Sequence, residues 1–257
     1  MSIAEQYIAL STMTIRETRR FLRIWTQTLL PPVITMVLYF VIFGTLIGSR
    51  IGQMDGFNYV DFVAPGLIMM AVITNSYSNV VSSFFGHKFQ RHIEEILVSP
   101  TPNYIILAGF VSGGMARGIL VGIFVTITSF FFTDFQVQHP FIVIITLILT
   151  SLLFSVAGLI NAIFAKTFDD ISIVPTFVLT PLTYLGGVFY SISLLSDFWQ
   201  GISKINPILY MVNAFRYGFL GISDINVTAA LIAIFLFTLV LIGLALQLLK
   251  SGKNLRA

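Results

Sequence analysis

Cysteine is absent from this 257-residue chain, which removes disulfides, thiolate metal sites and thiol catalysis together. Charge is scarce as well. Asp, Glu, Lys and Arg supply 10% of the residues, against roughly a quarter in an ordinary soluble domain. Of the three histidines, His87 and His92 stand five apart rather than the four of a one-face metal pair, and His139 stands alone. No Gly-x-x-x-x-Gly-Lys-Ser/Thr phosphate loop occurs, and Gly252-Lys253-Asn254 lacks both the earlier glycine and the hydroxyl residue. The sequence therefore predicts no catalysis, no bound metal and no cofactor of the chain's own. A net charge of +3 does not point to nucleic acid, because there is no soluble basic domain to carry that function.

What the chain does have is apolar surface, 56% of its residues. A bilayer core of about 30 Å takes about 20 mostly apolar residues per helix, and six such runs fit, over residues 29–48, 62–84, 108–132, 141–164, 171–190 and 227–249. The expected fold is all-α and integral to the membrane, with an N-terminal amphipathic interfacial helix in residues 1–28, a six-span domain over 29–249 and a tail at 250–257. Alternate connections differ in basic residues. One set holds Arg16, Arg19, Arg20, Arg23, Lys88, Arg91, Lys166, Lys250, Lys253 and Arg256; the other holds Arg50, Lys204 and Arg216. Lys and Arg are retained on the cytoplasmic side, so both termini are expected there, which requires an even number of spans.

Arg16, Arg19, Arg20 and Arg23 recur at helical spacing with Ile15, Leu22 and Trp25 on another face, as in a helix lying in the inner headgroup layer against membrane lipids. A signal peptide fits this stretch poorly, because the arginines lie well inside the chain and the apolar run that follows is too long. Residues 191–226 are too short for two spans and too apolar for a plain loop. They read as a re-entrant or interfacial helical hairpin in the outer leaflet, broken around Asn206-Pro207.

Between the second and third runs, residues 85–100 form an amphipathic pattern. Phe85, Phe89, Ile93, Ile96 and Leu97 share one face, Lys88, Arg91, Glu94 and Glu95 fall away from it, and Pro100 ends it. Mixed charge on the outer face suits docking to a cytoplasmic protein better than lying on lipid.

Within the spans, Asn75, Ser76, Asn79, Ser82 and Ser83 make a polar stripe at spacings of three and four, open to two readings: interhelical adhesion or lining of a path. Arg117 is the one charge expected inside a span and must be paired, snorkelling or in water. The fifth run carries Pro175, Pro181, Gly186 and Gly187, helix breakers that need partners at membrane depth. All eleven Asp and Glu fall in expected loops or at ends, which weighs against a proton-coupled carrier.

The stretch Pro181-Leu-Thr-Tyr-Leu-Gly-Gly-Val-Phe-Tyr-Ser, with Asn206-Pro-Ile-Leu-Tyr-Met and Phe215-Arg-Tyr-Gly-Phe-Leu-Gly221, resembles the ABC type-2 exporter permeases over essentially the whole chain. That resemblance implies a homodimeric permease working with two copies of a separate cytoplasmic ABC ATPase, which would hold the ATP and Mg, in the bacterial inner membrane. It further implies that Lys88, Arg91, Glu94 and Glu95 contact the ATPase through a coupling helix. Asn75, Asn79, Pro181, Tyr184, Gly186 and Gly187 would then belong to the translocation path or dimer interface. The expected cargo is a lipid, polysaccharide, drug or similar amphipathic molecule. A secondary carrier or a non-transporting membrane scaffold are the readings it competes with.

Overall fold

The computed structural model describes residues 1–134, 136–252 and 255. Lys253 and Arg256, counted above for orientation, lie outside the described residues.

Helix α1 (Ile3–Arg23) begins at a capping box, in which Ser2 Oγ accepts the Glu5 N–H and Glu5 Oε2 accepts the Ser2 N–H at 2.8 Å. At Ile24 the chain turns a corner that Thr28 holds by donating its hydroxyl to Phe21 O at 2.8 Å. It continues as α2 (Trp25–Ile51), which is interrupted at Leu29, so that Pro31 and Pro32 fall in the first turn of the stretch resuming at Leu30, where a missing N–H costs little. Next comes a two-stranded ribbon, β1 (Gln53–Met54) with β2 (Phe57–Asn58). Its turn residues Asp55 and Gly56 both have positive φ, 50° and 84°, as a two-residue primed turn requires.

Three long helices form the centre, α3 (Tyr59–Phe89), α5 (Asn103–Ser129) and α6 (Pro140–Phe164), with the short α4 (His92–Val98) between α3 and α5 in the chain. What brings them together is lost side-chain volume. Gly114, Gly118 and Gly122 repeat every four residues down α5, and a Cβ at these positions would strike Val80 and Ser76, Ser76, and Val72 of α3 respectively. From α6, Gly158 likewise leaves room for the Tyr77 backbone. Small residues at this spacing let helix backbones approach in lipid, where apolar burial alone gives little drive to associate.

The fifth apolar run differs from its expected single helix. It is three five-residue pieces: α7 (Asp170–Val174), a π-helical stretch (Pro175–Leu179) and α8 (Thr180–Tyr184). Pro181 has no N–H for the carbonyl one turn before it, and the ladder adjusts by an extra residue. The Thr180 N–H and its hydroxyl both reach back to Pro175 O, the latter at 2.9 Å. At about 1.5 Å per residue these pieces span about 22 Å, and the chain then reverses through Gly187, whose φ is +71°.

After that turn come the surface helix α9 (Asp197–Ile205) and α10 (Pro207–Leu220), broken apart at Asn206, which accepts the Ile208 N–H at 3.0 Å as the α10 cap. α10 is buried among α3, α6 and the final helix α11 (Val227–Ser251). Among the described residues, α2, α3, α5, α6 and α11 are long and apolar enough to cross a bilayer.

A second difference concerns residues 85–100, which do not make one helix. α3 runs on to Phe89, Arg91 adopts a left-handed φ of 63°, and α4 starts in a new direction. The cause lies at Lys88, which is drawn inward: Nζ donates to Ile163 O at 2.7 Å and Ala165 O at 2.6 Å, a cation on the open carbonyls at the end of α6.

Candidate translocation groove and coupling site

The middle of α3 is buried on every side but one. Met70, Thr74, Ser78 and Ser82, four apart, are the positions between residues 61 and 83 that reach its uncovered face. Across from the first three stand Pro175, Thr176, Leu179, Thr180, Thr183 and Tyr184, enclosing a cleft of about 200 Å³. Thr74 and Thr183 spend their hydroxyl protons on their own helices, to Met70 O at 2.9 Å and Leu179 O at 2.7 Å. Their oxygens remain able to accept from a guest. Among the described residues no Asp, Glu, Lys, Arg or His lines the cleft; Tyr77 and Tyr184 contribute neutral phenols. Beside it, Phe177 is 73% exposed and Ile173 49%, an apolar ridge that no described residue of this chain covers.

Asn75 and Asn79 point away from that cleft. Arg117 Nη2 donates to Asn75 Oδ1 at 3.0 Å and to Thr28 O at 3.2 Å, and Arg20 Nη2 donates to Asn79 O and Oδ1, each at 2.9 Å. Their stripe joins α3 to α1 and α5, one of the two readings open to it from spacing. The residue that sequence reasoning missed here is Glu17. Grouped with acids of loops and ends, it is completely buried, accepting from Ser83 Oγ at 2.5 Å, Arg20 Nε at 3.3 Å and Arg16 Nη2 at 3.2 Å. A Cβ on Gly113 would collide with it, so the signal in the sequence was the pairing of a small residue on α5 with an acid set between arginines.

Nor does α1 merely touch the spans at a point. Tyr104 Oη donates to Gln6 Oε1 at 2.7 Å, the Thr14 and Ser112 hydroxyls meet at 3.0 Å, and Glu17 sits over Gly113. The two helices run side by side in the same chain direction.

At the other end of α3, the expected coupling residues divide. Lys88 is buried in the contacts given above, Glu94 is half-buried, and Arg91 and Glu95 are exposed. Ile93 anchors α4 with no exposed surface, whereas Val98 stands 87% exposed at its tip. Phe168 joins this corner to the groove, its ring centroid 5.0 Å from both Phe85 and Phe89, two residues before α7 begins. The last turns of α3, next to α4, and the segment leading into α7 therefore share one aromatic cluster.

Comparison with known proteins places the chain: the model of the ABC-2 type transporter family matches residues 8–220. The chain belongs to that family. It is 59% identical over 251 residues to the inner membrane transport permease YadH of Escherichia coli K12, covering 98% of each chain. It is also similar to nodulation protein J of Rhizobium leguminosarum bv. viciae, 23% identical over 192 residues and 74% of each chain, and to that of Rhizobium meliloti, 23% identical over 217 residues.

In this permease the remaining expected residues separate by depth. Tyr184 lines the cleft and Pro181 is exposed beside it, while Gly186 and Gly187 are buried at the turn. Arg216, counted from sequence among outer loop charges, is instead wholly buried on α10. Its guanidinium lies 3.9 Å over the Phe62 ring, donates to Gly187 O at 2.5 Å and stands 3.9 Å from Asp224. It fastens the turn after α8 to the start of α3. Helical periodicity did not reveal this, since Phe215, Tyr217 and Phe219 surround it with residues equally at home at an interface.

Proposed function

We propose that the permease forms the translocation path of an ATP-driven exporter as a homodimer, with the cleft between α3 and the 170–184 segment facing the second copy. The observation that carries this reading is the single uncovered stripe of an otherwise buried α3, set opposite a π-helical stretch with an apolar ridge left bare. A bundle in lipid gains nothing by holding polar hydroxyls at an open face unless something polar passes or docks there. On this reading the 170–184 segment and its turn make the sixth crossing, α9 and α10 form the outer-leaflet re-entrant pair, and both termini are cytoplasmic. The YadH relative, named as an inner-membrane protein, supports that location.

The engine is two copies of a separate ABC ATPase, which bind ATP and Mg and engage α4 together with the exposed Arg91 and Glu95 and the half-buried Glu94. Closure of the ATPases shifts α4 and with it the end of α3, and Phe168, packed on Phe85 and Phe89, relays the shift to α7. The cargo is amphipathic, a lipid, polysaccharide, drug or similar molecule. Because the chain has no cysteine, Phe177→Cys is a clean reporter. Oxidative cross-linking of that variant to a second copy in native membranes, together with transport that requires the ATPase, is the expected result. A monomer that cannot be cross-linked there, or full transport without any ATPase, would sink the proposal.

A further inference from the structure

A cleft of about 580 Å³ opens on the exposed side of α1, lined by Arg16, Arg19, Arg20, Arg23, Thr12 and His87. Four arginines face one carboxylate there. Glu17, wholly buried, is already held by Arg16 and Arg20, and Arg20 is further committed to Asn79. Arg19 and Arg23 are exposed and, among the described residues, have no hydrogen bond or ion pair. Like charges held this close repel one another, and an anion in the cleft would relieve that repulsion.

A second cleft, of about 490 Å³ and almost wholly apolar, begins at Leu22, the residue before Arg23. It runs past Trp25, Leu29 and Val33 to Phe124 and Ile127 on α5. The two are consecutive along one helix and its corner, the basic cleft on α1 and the apolar one where the chain becomes a membrane helix. Trp25, 55% exposed, stands at the junction, the depth that amphipathic rings prefer.

We infer that this pair of clefts is a binding site for an anionic phospholipid of the inner leaflet, its phosphate seated between Arg19 and Arg23 and an acyl chain laid along Trp25, Val33 and Phe124. A zwitterionic lipid would bring an ammonium into a cluster of guanidinium groups and is disfavoured. The inference rests on the membrane reading of the bundle and is independent of export. An acidic face of the ATPase would satisfy the arginines equally, but it would leave the apolar cleft that continues them unfilled, which favours a lipid.

The chain holds two tryptophans, Trp25 and Trp199, so Trp199→Phe leaves Trp25 as the sole reporter. The full-length protein in vesicles receives a small fraction of phosphatidylglycerol or phosphatidylethanolamine brominated on the same acyl chain, and quenching of Trp25 is read. Phosphatidylglycerol should associate more strongly by a factor of roughly thirty, since each arginine at an anionic surface contributes about fivefold. Arg19→Gln with Arg23→Gln should bring the two lipids close to equal, and Arg19→Lys with Arg23→Lys should keep the preference, tying it to charge rather than to folding. Equal quenching in the parent, a preference that survives the glutamine pair, or equal loss in the lysine pair would overturn the site. So would a glutamine pair that keeps its lipid preference and instead no longer retains the ATPase.

Discussion

Arg20 and Asn79 are joined twice: the Nη2 nitrogen of the arginine lies 2.9 Å from both the backbone and the side-chain oxygen of the asparagine. One amphipathic helix is thereby fixed to the central helix of the bundle. With Glu17 buried between Arg16, Arg20 and Ser83, the N-terminal helix is part of the core and not an appendage.

Removing Glu17 leaves the buried Ser83 hydroxyl without its acceptor and two part-exposed arginines without their carboxylate. Glu17→Ala should destabilise the permease by about 1–3 kcal/mol, seen as a lower unfolding temperature in detergent. Glu17→Gln should cost less, because it keeps an acceptor for Ser83. A Glu17→Ala protein as stable as the parent would show that the network contributes nothing.

The glycine positions separate by what stands opposite. Gly118→Ala places a Cβ against Ser76 and should lower stability by about 1–3 kcal/mol. Gly86→Ala meets nothing within 4 Å and should be neutral or slightly stabilising, since alanine is the better helix former. Thermal melts of the two variants side by side test the ranking.

At the coupling corner, reversing the charges of Glu94 and Glu95 together should weaken co-purification of the ATPase while leaving membrane insertion intact. Lys88→Ala should do something different. It strips Ile163 O and Ala165 O of their donor and should loosen the end of α6, read as faster hydrogen exchange there. ATPase retention at the parental level in the double reversal would defeat the assignment of α4.

Asp170 accepts the N–H groups of Lys166 and Thr167 at 2.8 and 3.0 Å, and these bonds hold its carboxyl below the ordinary carboxylate range. A depressed pKa stabilises the fold above the unfolded value of about 4 and ceases to do so as pH falls through the folded value. Amide exchange at Lys166 and Thr167, corrected for its intrinsic pH dependence, should therefore accelerate as the solution is acidified below about pH 4. In Asp170→Asn that acid-dependent step should vanish; its persistence would place the titrating group elsewhere.

Much of this architecture was readable beforehand, and the losses have physical causes. Long apolar runs announced the spans because lipid demands length and hydropathy together, and Asn206-Pro207 announced a break because a cap followed by proline cannot be helix interior. Residues 85–100 misled because helical periodicity carries across the reversal at Arg91, where only a left-handed backbone marks the turn. Lys88 then lands inside, although its charge suggested solvent. Glu17 and Arg216 escaped because burial of a charge depends on a partner distant in the chain, Ser83 for one and Phe62 for the other. The polar stripe of α3 was visible, but its neighbours Thr74 and Ser78, not Asn75 and Asn79, took the open side; a rotation of one residue along the helix separates adhesion from access.

The cleft between Thr74 and Thr180 has one more implication. With no Asp, Glu, Lys, Arg or His among the described residues of its walls, and so no group charged at neutral pH, the electric field across the bilayer finds nothing there to push against. Collapsing the membrane potential should leave the turnover of an uncharged cargo unaltered, and any voltage sensitivity would have to be carried by the cargo itself.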